Sequence, residues 1–228
     1  MPYFNIVAET SENTVVTEYE PVKKRSDSYQ SEAALEQEFI RLLYEQGYEY
    51  LPVHTEKDLI TNLRKKLSEL NHYQFSDTEW NDFFKNAVAN PNEHIVEKTR
   101  KIQEDNIQVL TRDDGSSKNI MLIDKKNIHN NRLQVINQYT AGKEDGAKYD
   151  NRYDVTILVN GLPLIHIELK RRGVAIREAF NQINRYQRES FWAGHGLYEY
   201  IQIFVISNGT NTKYYSNSTR CNAEKEHE

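Results

Sequence analysis

Cysteine is almost missing from this 228-residue chain, in which Cys221 stands alone. A single thiol excludes an internal disulfide and any zinc site built on several cysteines, and it suits a reducing compartment. No apolar run approaches the ~20 residues that a membrane-spanning helix needs, so no membrane association is expected. The opening MPYFNIVAET lacks a basic stretch leading into an apolar one. No secretory leader is therefore expected, and the expected location is cytoplasmic. The pattern G-x-x-x-x-G-K-[ST] is absent, so this chain is not expected to cradle the phosphates of ATP. Internal repeats and low-complexity tracts are absent too. Nor is there an excess of positive charge: 29 Lys and Arg against 34 Asp and Glu leave a net −5. That balance argues against a free-standing, high-affinity DNA binder, which usually carries a basic stripe.

What is present suits one large or two small domains with a proper core, at 38% hydrophobic and 28% charged residues. The most informative stretch is Tyr153–Arg172, YDVTILVNGLPLIHIELKRR. Two apolar runs flank Asn160-Gly161, the strongest short-range signal for a β-hairpin. Strand side chains alternate between faces. Val155, Ile157 and Val159 therefore share one face with Ile165, Ile167 and Leu169 if Ile157 pairs with Ile165 and Val155 with Ile167. A plain two-residue turn would mix the faces. The expectation is a three-residue connection or a bulge near Pro163. The same register sets Asp154 opposite Glu168, with Lys170 next on that face. Two carboxylates roughly 5 Å apart across a ladder repel, so a nearby lysine or a hard cation must offset them. A solvated strand face with incidental charges is the plainer alternative.

Along the rest of the chain, the first residues to about Arg25 read as an irregular arm, with Thr14–Tyr19 able to add an edge strand. Ser31 is a plausible N-cap for a helix over Glu32–Gln46, with Leu35, Phe39, Leu42 and Leu43 at helical spacing. Gly47 ends it, and Tyr48–Val53 reads as a strand. The pattern is helical from Glu56 to about Asp105. Leu59, Ile60, Leu63, Leu67 and Leu70 line one helix, Ser76-x-x-Glu79 is a capping box for the next, and a third starts at Asn92. Lys65, Lys66, Lys98, Arg100 and Lys101 read as solvated faces. Strands follow at Asn106–Leu110, Ile120–Ile123 and Arg132–Tyr139, then a loop over 140–151. After the hairpin, a helix from Ala175 to about Ser190 has Ile176, Phe180 and Ile183 as its core stripe, and stacks Gln182 with Tyr186 one turn apart. Phe191–Glu199 reads as a loop. Tyr200–Ser207 looks like a strand buried on both faces, continued antiparallel by Thr212–Tyr215.

Asp154, a hairpin, and then Glu168-Leu169-Lys170 resemble the D…(D/E)-x-K signature of restriction-endonuclease-like nucleases. The run continues through Lys170-Arg-Arg-Gly to Gln182-x-x-x-Tyr186, an element of the RecB-type branch of that superfamily. From about Ser28 to Tyr215 the chain closely resembles the N-terminal nuclease domain of the R subunit of type I restriction–modification enzymes. The resemblance implies an α/β fold: a restriction-endonuclease-like core of mixed β-sheet flanked by helices. The domain would comprise 28–56 and 106–216 as core, 57–105 as an inserted helical segment, and 217–228 as a frayed tail. The motor domains of the full subunit, where ATP is used, would lie outside this chain.

By the same resemblance Asp154, Glu168 and Lys170 are the catalytic residues. Asp154 and Glu168 would hold Mg²⁺, joined by the Leu169 backbone carbonyl and by Glu36 from the first helix, with Glu32 as the fallback. A carboxylate at Glu36 is unusual because it lies one turn before Ile40, close to the apolar stripe. Lys170 would orient or help deprotonate the attacking water, a role open to a lysine whose pKa a metal lowers. Gln182 and Tyr186 would shape the site, and Arg171 and Arg172 would touch the DNA backbone. From Gly161 to Ser190 six basic residues face three acidic ones, a local net of +3. The implied partners are duplex DNA and the methyltransferase and specificity subunits of a type I complex. Two other readings stay open: a docking domain coupling motor to methyltransferase without useful cutting of its own, and a related exonuclease or junction nuclease.

Overall fold

The computed structural model describes residues 3–9, 15–20, 31–141, 151–186 and 196–217. Its centre is a mixed six-stranded sheet in the order β10-β9-β8-β7-β6-β3. The members are β3 (Glu49–Tyr50), β6 (Leu133–Ala141), β7 (Asn151–Val159), β8 (Leu162–Leu169), β9 (Ile203–Ser207) and β10 (Thr212–Ser216). Pairs β3·β6 and β8·β9 are parallel, and the others antiparallel. A parallel pair needs a crossover connection, and the one between β8 and β9 contains the helix α5 (Ile176–Tyr186). This is the α/β fold with a mixed sheet flanked by helices that the sequence led us to expect.

The hairpin keeps the register that holds its apolar face together. Val155 pairs with Ile167 and Ile157 with Ile165. The turn itself has two residues, with Asn160 at φ +52° and Gly161 at φ +86°, the left-handed pair of a type I′ turn. The compensating irregularity lies next to it: the ladder jumps from Ile157↔Ile165 to Leu158↔Pro163, leaving Leu164 as a bulge. Both tight turn and bulge are needed, because Pro163 has no N–H to give the ladder. The turn is also fastened from outside. The Asn160 side chain accepts from Arg132 N–H at 2.8 Å and donates to the Leu122 carbonyl at 3.0 Å. A Cβ on Gly161 would stand 2.7 Å from the Leu63 Cα.

One face of the sheet is covered by α1 (Glu32–Glu45), capped by Ser31, whose hydroxyl accepts from Ala34 N–H at 3.1 Å. Leu43, Phe39 and Ile40 pack there on Val135, Val155, Ile157, Ile167 and Leu169. The buried stripe is rotated from the expected one. Leu42 is 42% exposed, whereas Glu36 is buried in line with Leu43.

The opposite face carries the larger core. Here α2 (Glu56–Asn71), α3 (Asp77–Phe83) and α4 (Ile95–Gln103) pack with the hairpin β4 (Ile107–Thr111)–β5 (Ser117–Met121) and with α5. The Ser76–Glu79 capping box forms as the sequence suggests. The β4–β5 hairpin is a separate two-stranded sheet, yet its Leu110 and Ile120 join the common core. A third hairpin, β1 (Tyr3–Glu9) with β2 (Val15–Glu20), also pairs only with itself, so the strand expected near Thr14–Tyr19 is not an edge of the main sheet. Among the described residues no helix is long and apolar enough to cross a membrane.

Several local expectations need correction. Tyr48–Val53 yields only a two-residue strand, and the third insertion helix begins at Ile95 rather than Asn92. Of the run Tyr200–Ser207, only the part from Ile203 is strand, because Leu197–Tyr200 forms a 3₁₀ turn that buries Tyr200 with its hydroxyl on the Val88 carbonyl. Ile203 is largely open, so β9 is not buried on both faces. On α5, Ala179 and Ile183 form the buried stripe, while Phe180 turns outward onto the Tyr215 ring. The loop within 140–151, the helix beyond Tyr186, the start of the following loop and the tail fall on 142–150, 187–195 and 218–228, outside the described residues.

The largest departure concerns charge. Lys66, Lys98 and Lys101 are buried, not solvated. Lys98 pairs with Glu199 at side-chain exposures of 0% and 1%. Lys66 lies between Glu49 at 3.0 Å and Glu69 at 3.3 Å, and Lys101 meets Glu93. Each buried ammonium has its own carboxylate, the condition under which such burial is tolerated.

Two stability effects follow. Gly161→Ala forces both a strained φ and a backbone clash, and should cost about 2–4 kcal/mol in urea unfolding. Lys98→Met should cost about 3–5 kcal/mol by stranding the Glu199 charge, and Lys98→Met with Glu199→Leu should recover most of it.

Candidate active site

The candidate site lies where two strands part. The β7–β8 ladder runs from the turn to Val155↔Ile167 and no further. Beyond that point β7 continues on β6 as far as Asn151↔Ala141, while β8 continues on β9 to Leu169↔Ser207. Asp154 sits in the fork. Its Oδ2 accepts from the Leu169 N–H at 2.9 Å, so a side chain takes the place of a main-chain partner. Glu168 stands beside it on β8, fully buried, with Oε1 accepting from Lys170 Nζ at 3.0 Å. Asp154, Glu168 and Lys170 thus meet at one fork.

A second irregularity faces Asp154. The β6–β7 ladder pairs Asn137 with Val155 and Tyr139 with Tyr153, but skips Gln138 and Asp154. Gln138 has φ +53°. Consecutive residues of a regular strand point to opposite faces. Here Asn137 Nδ2 and Gln138 Nε2 both donate to the Glu36 carboxylate. Alternation fails on β7 as well, because the Tyr153 ring packs edge-on against His166 at 5.6 Å instead of sharing the Val155 face.

Burial and proximity set the charges. Burial, then the Glu168 charge, pushes the Asp154 pKa up to about 7. Burial likewise lifts Glu168 to about 7 against the pull of Lys170. Burial works against the Lys170 ammonium, but Glu168 outweighs it by charge and hydrogen bond, and the pKa of Lys170 is raised. Tyr186 is pushed up to about 12 by burial and then by the Glu168 charge.

The other expected residues divide into two groups. Tyr186 is buried under the cleft, where it accepts from Gln182 Nε2 and donates to the Arg152 carbonyl at 2.7 Å. Gln182 and Tyr186 therefore tie α5 to β7 just before Asp154. Arg171 and Arg172 are exposed beyond the end of β8. Glu32 lies nearby, accepting from Arg171 N–H at 3.3 Å. Glu36 is buried close enough for Asp154 to raise its pKa along with burial, but both its oxygens are already engaged by amides. At Leu169 it is the amide that meets Asp154.

The sequence reading passed over His166. Burial pushes its pKa down to about 4, so it is neutral. Its Nε2 lies 3.5 Å from Glu168 Oε2, and its Nδ1 3.5 Å from Thr156 Oγ1. With Tyr153, Tyr186 and Tyr198 it forms an aromatic floor under the carboxylates. Alternation alone puts His166 on the Glu168 face, and that was the available signal.

Among the described residues Glu168 Oε2 is buried with no hydrogen-bond partner, His166 Nε2 standing 3.5 Å away. A lone acceptor beside a second carboxylate is suited to a hard divalent cation. Among the described residues no three His, Cys, Asp or Glu side chains converge as a metal cage. Two carboxylates, with water and a substrate phosphate completing the shell, are the kind of site Mg²⁺ accepts.

The family described as "Type I restriction enzyme R protein N terminus" matches residues 29–223. The chain belongs to that family. It is 49% identical over 215 residues to the Type I restriction enzyme EcoprrI endonuclease subunit of Escherichia coli, covering 94% of this chain and 67% of that protein. It is 40% identical over 192 residues to the Type I restriction enzyme SauMSSORF170P endonuclease subunit of Staphylococcus aureus, covering 84% of this chain and 20% of the relative. The HindI endonuclease subunit of Haemophilus influenzae is 29% identical over 201 residues, with 78% and 18% covered. The chain thus spans two thirds of the first of these relatives and about a fifth of the other two.

Asp154 and Glu168 have folded pKa values raised above the usual carboxylate range. Their contribution to stability is full below about pH 4 and is lost as pH rises through about 7. His166, depressed to about 4, acts in the opposite sense below its unfolded value of ~6.5. In chelator, stability to urea should therefore fall from roughly pH 5 to 7, by about 2–3 kcal/mol with the opposing His166 effect included, and level off above about pH 7.5. Asp154→Asn should flatten that fall, and an unchanged slope would contradict the assignment.

Proposed function

We propose that this chain is the nuclease domain of a type I restriction enzyme R subunit. It would hydrolyse phosphodiester bonds of duplex DNA with Mg²⁺, when ATP-driven translocation by domains outside the chain brings DNA to it. Its partners would be DNA and the methyltransferase and specificity subunits. The observation that carries the reading is the fork: Asp154, Glu168 and Lys170 meet where β7 and β8 separate, in a chain of this family.

Hydrolysis needs an aligned water, a destination for its proton and positive charge on the phosphate oxygens. Mg²⁺ held by Asp154 and Glu168 would supply Lewis-acid charge and lower the pKa of a bound water. The Leu169 N–H fixes the Asp154 carboxylate, so the pair enters the cleft with little rotamer freedom to lose. Lys170, hydrogen-bonded to Glu168, would orient or help deprotonate the attacking water and counter phosphate charge. Gln182 and Tyr186 tie α5 to β7 beside the site, and the exposed Arg171 and Arg172 would contact backbone phosphates. The acidic overall balance leaves most DNA affinity to the rest of the complex.

The test is plasmid cleavage by the complex reassembled with its other subunits. Asp154→Ala and Lys170→Ala should each lower cleavage about 100-fold or more, with ATP hydrolysis retained. Cleavage that survives both changes would sink the nuclease assignment and leave docking as the role of the domain.

A further inference from the structure

We infer that Glu36 is a positioning residue, acting on Asp154 through a clamp on the left-handed backbone at Gln138. The inference rests on the nuclease reading only for its consequence in cation binding, since the clamp itself is a property of the fold.

Four observations combine. Glu36 is among the few residues α1 buries, at 7% exposure, on a face otherwise apolar. A carboxylate is retained there only with its oxygens satisfied. Both are, by the amides of two successive residues, Asn137 and Gln138. Asn137 is itself oriented by the Tyr50 hydroxyl, which donates to its Oδ1 at 2.9 Å. Two neighbours on one strand can reach one carboxylate only if the strand stops alternating, and Gln138 stops it by taking φ +53°, a conformation that glycine adopts freely and glutamine does not.

The residue that faces Gln138 is Asp154, at the skipped pair of the ladder. The ladder keeps its register across this skipped pair, and the Asp154 carboxylate reaches across the fork to the Leu169 N–H. The helix carboxylate therefore sets a strained backbone unit, which in turn sets Asp154. A direct ligand would behave differently, because backbone freedom at residue 138 could not replace its oxygens.

The second-site test uses that difference. In isotope-labelled protein, exchange of the Leu169 amide reports the placement of Asp154 without any cation, and titration calorimetry with Mg²⁺ reports the assembled pair. Glu36→Ala should speed Leu169 exchange and weaken Mg²⁺ binding, each about tenfold or more. Glu36→Ala combined with Gln138→Gly should regain most of both, since glycine adopts the left-handed backbone unclamped. Glu36→Gln, which keeps the shape and one acceptor, should fall between, and it stands in if Glu36→Ala fails to fold. Unchanged Leu169 exchange in Glu36→Ala, or a double variant no better than it, overturns the inference. So does a double variant that regains Leu169 protection but not Mg²⁺, which makes Glu36 a ligand. If the parent binds no Mg²⁺ the proposed chemistry fails, and Leu169 exchange still decides the role of Glu36.

Discussion

Two carboxylates are kept side by side, largely out of water, by strands that have just come apart. Everything else in the cleft answers to that constraint. Asp154 and Glu168 repel and are poorly solvated, and both effects push their protons on. A regular antiparallel pair would close the gap between β7 and β8 with main-chain hydrogen bonds and leave no room between them. The fork replaces one of those bonds with a side chain, Asp154 to Leu169 N–H, and opens the space without orphaning that amide.

Holding such a fork open requires rigidity on both sides of it. At the far end of the hairpin, Asn160 and Gly161 are locked against Arg132, Leu122 and the backbone of Leu63. The bulge at Leu164 then keeps Val155, Ile157, Ile165 and Ile167 on the α1 face. Beneath the cleft, α5 is bound to β7 through Tyr186, and the aromatic floor around His166 fills the volume that hydration of the carboxylates would otherwise claim. The stretch that holds α2, α3 and α4 contributes to the same rigidity. It delivers Leu63 to the turn, and Lys98 to Glu199 next to the buried Tyr200.

How legible this was depends on the range of each interaction. The hairpin register could be read because alternation, Asn-Gly and Pro163 act within a dozen residues and admit one consistent pairing. Asp154, Glu168 and Lys170 follow from that register, and the odd position of Glu36 in an apolar stripe follows from the helical period of its own stretch. Lys98 could not be read: in sequence it is one more cation on an amphipathic helix, and its partner Glu199 lies 101 residues away. The left-handed Gln138 was equally hidden, since nothing local favours that conformation in a glutamine and its cause is a carboxylate on another element. Phe180 and Ile203 were misplaced for a related reason. Periodicity marks an apolar face but does not say whether a neighbour covers it.

The charge state of the cleft bears on how such a domain would be used. With both carboxylates near neutral pH in their titration and Lys170 held protonated by Glu168, the fork is balanced by protons and one resident ammonium. On the nuclease reading, a divalent cation must displace protons from the pair before it can act, and a phosphate brought by DNA helps by completing the cation's shell. Each step makes the next easier, so cation and substrate should favour one another's entry. The chain as a whole is acidic and spans only about a fifth of its Staphylococcus aureus relative. On that reading the pair is only partly ionised until a cation enters, and an acidic chain would leave DNA affinity to the other parts of its complex.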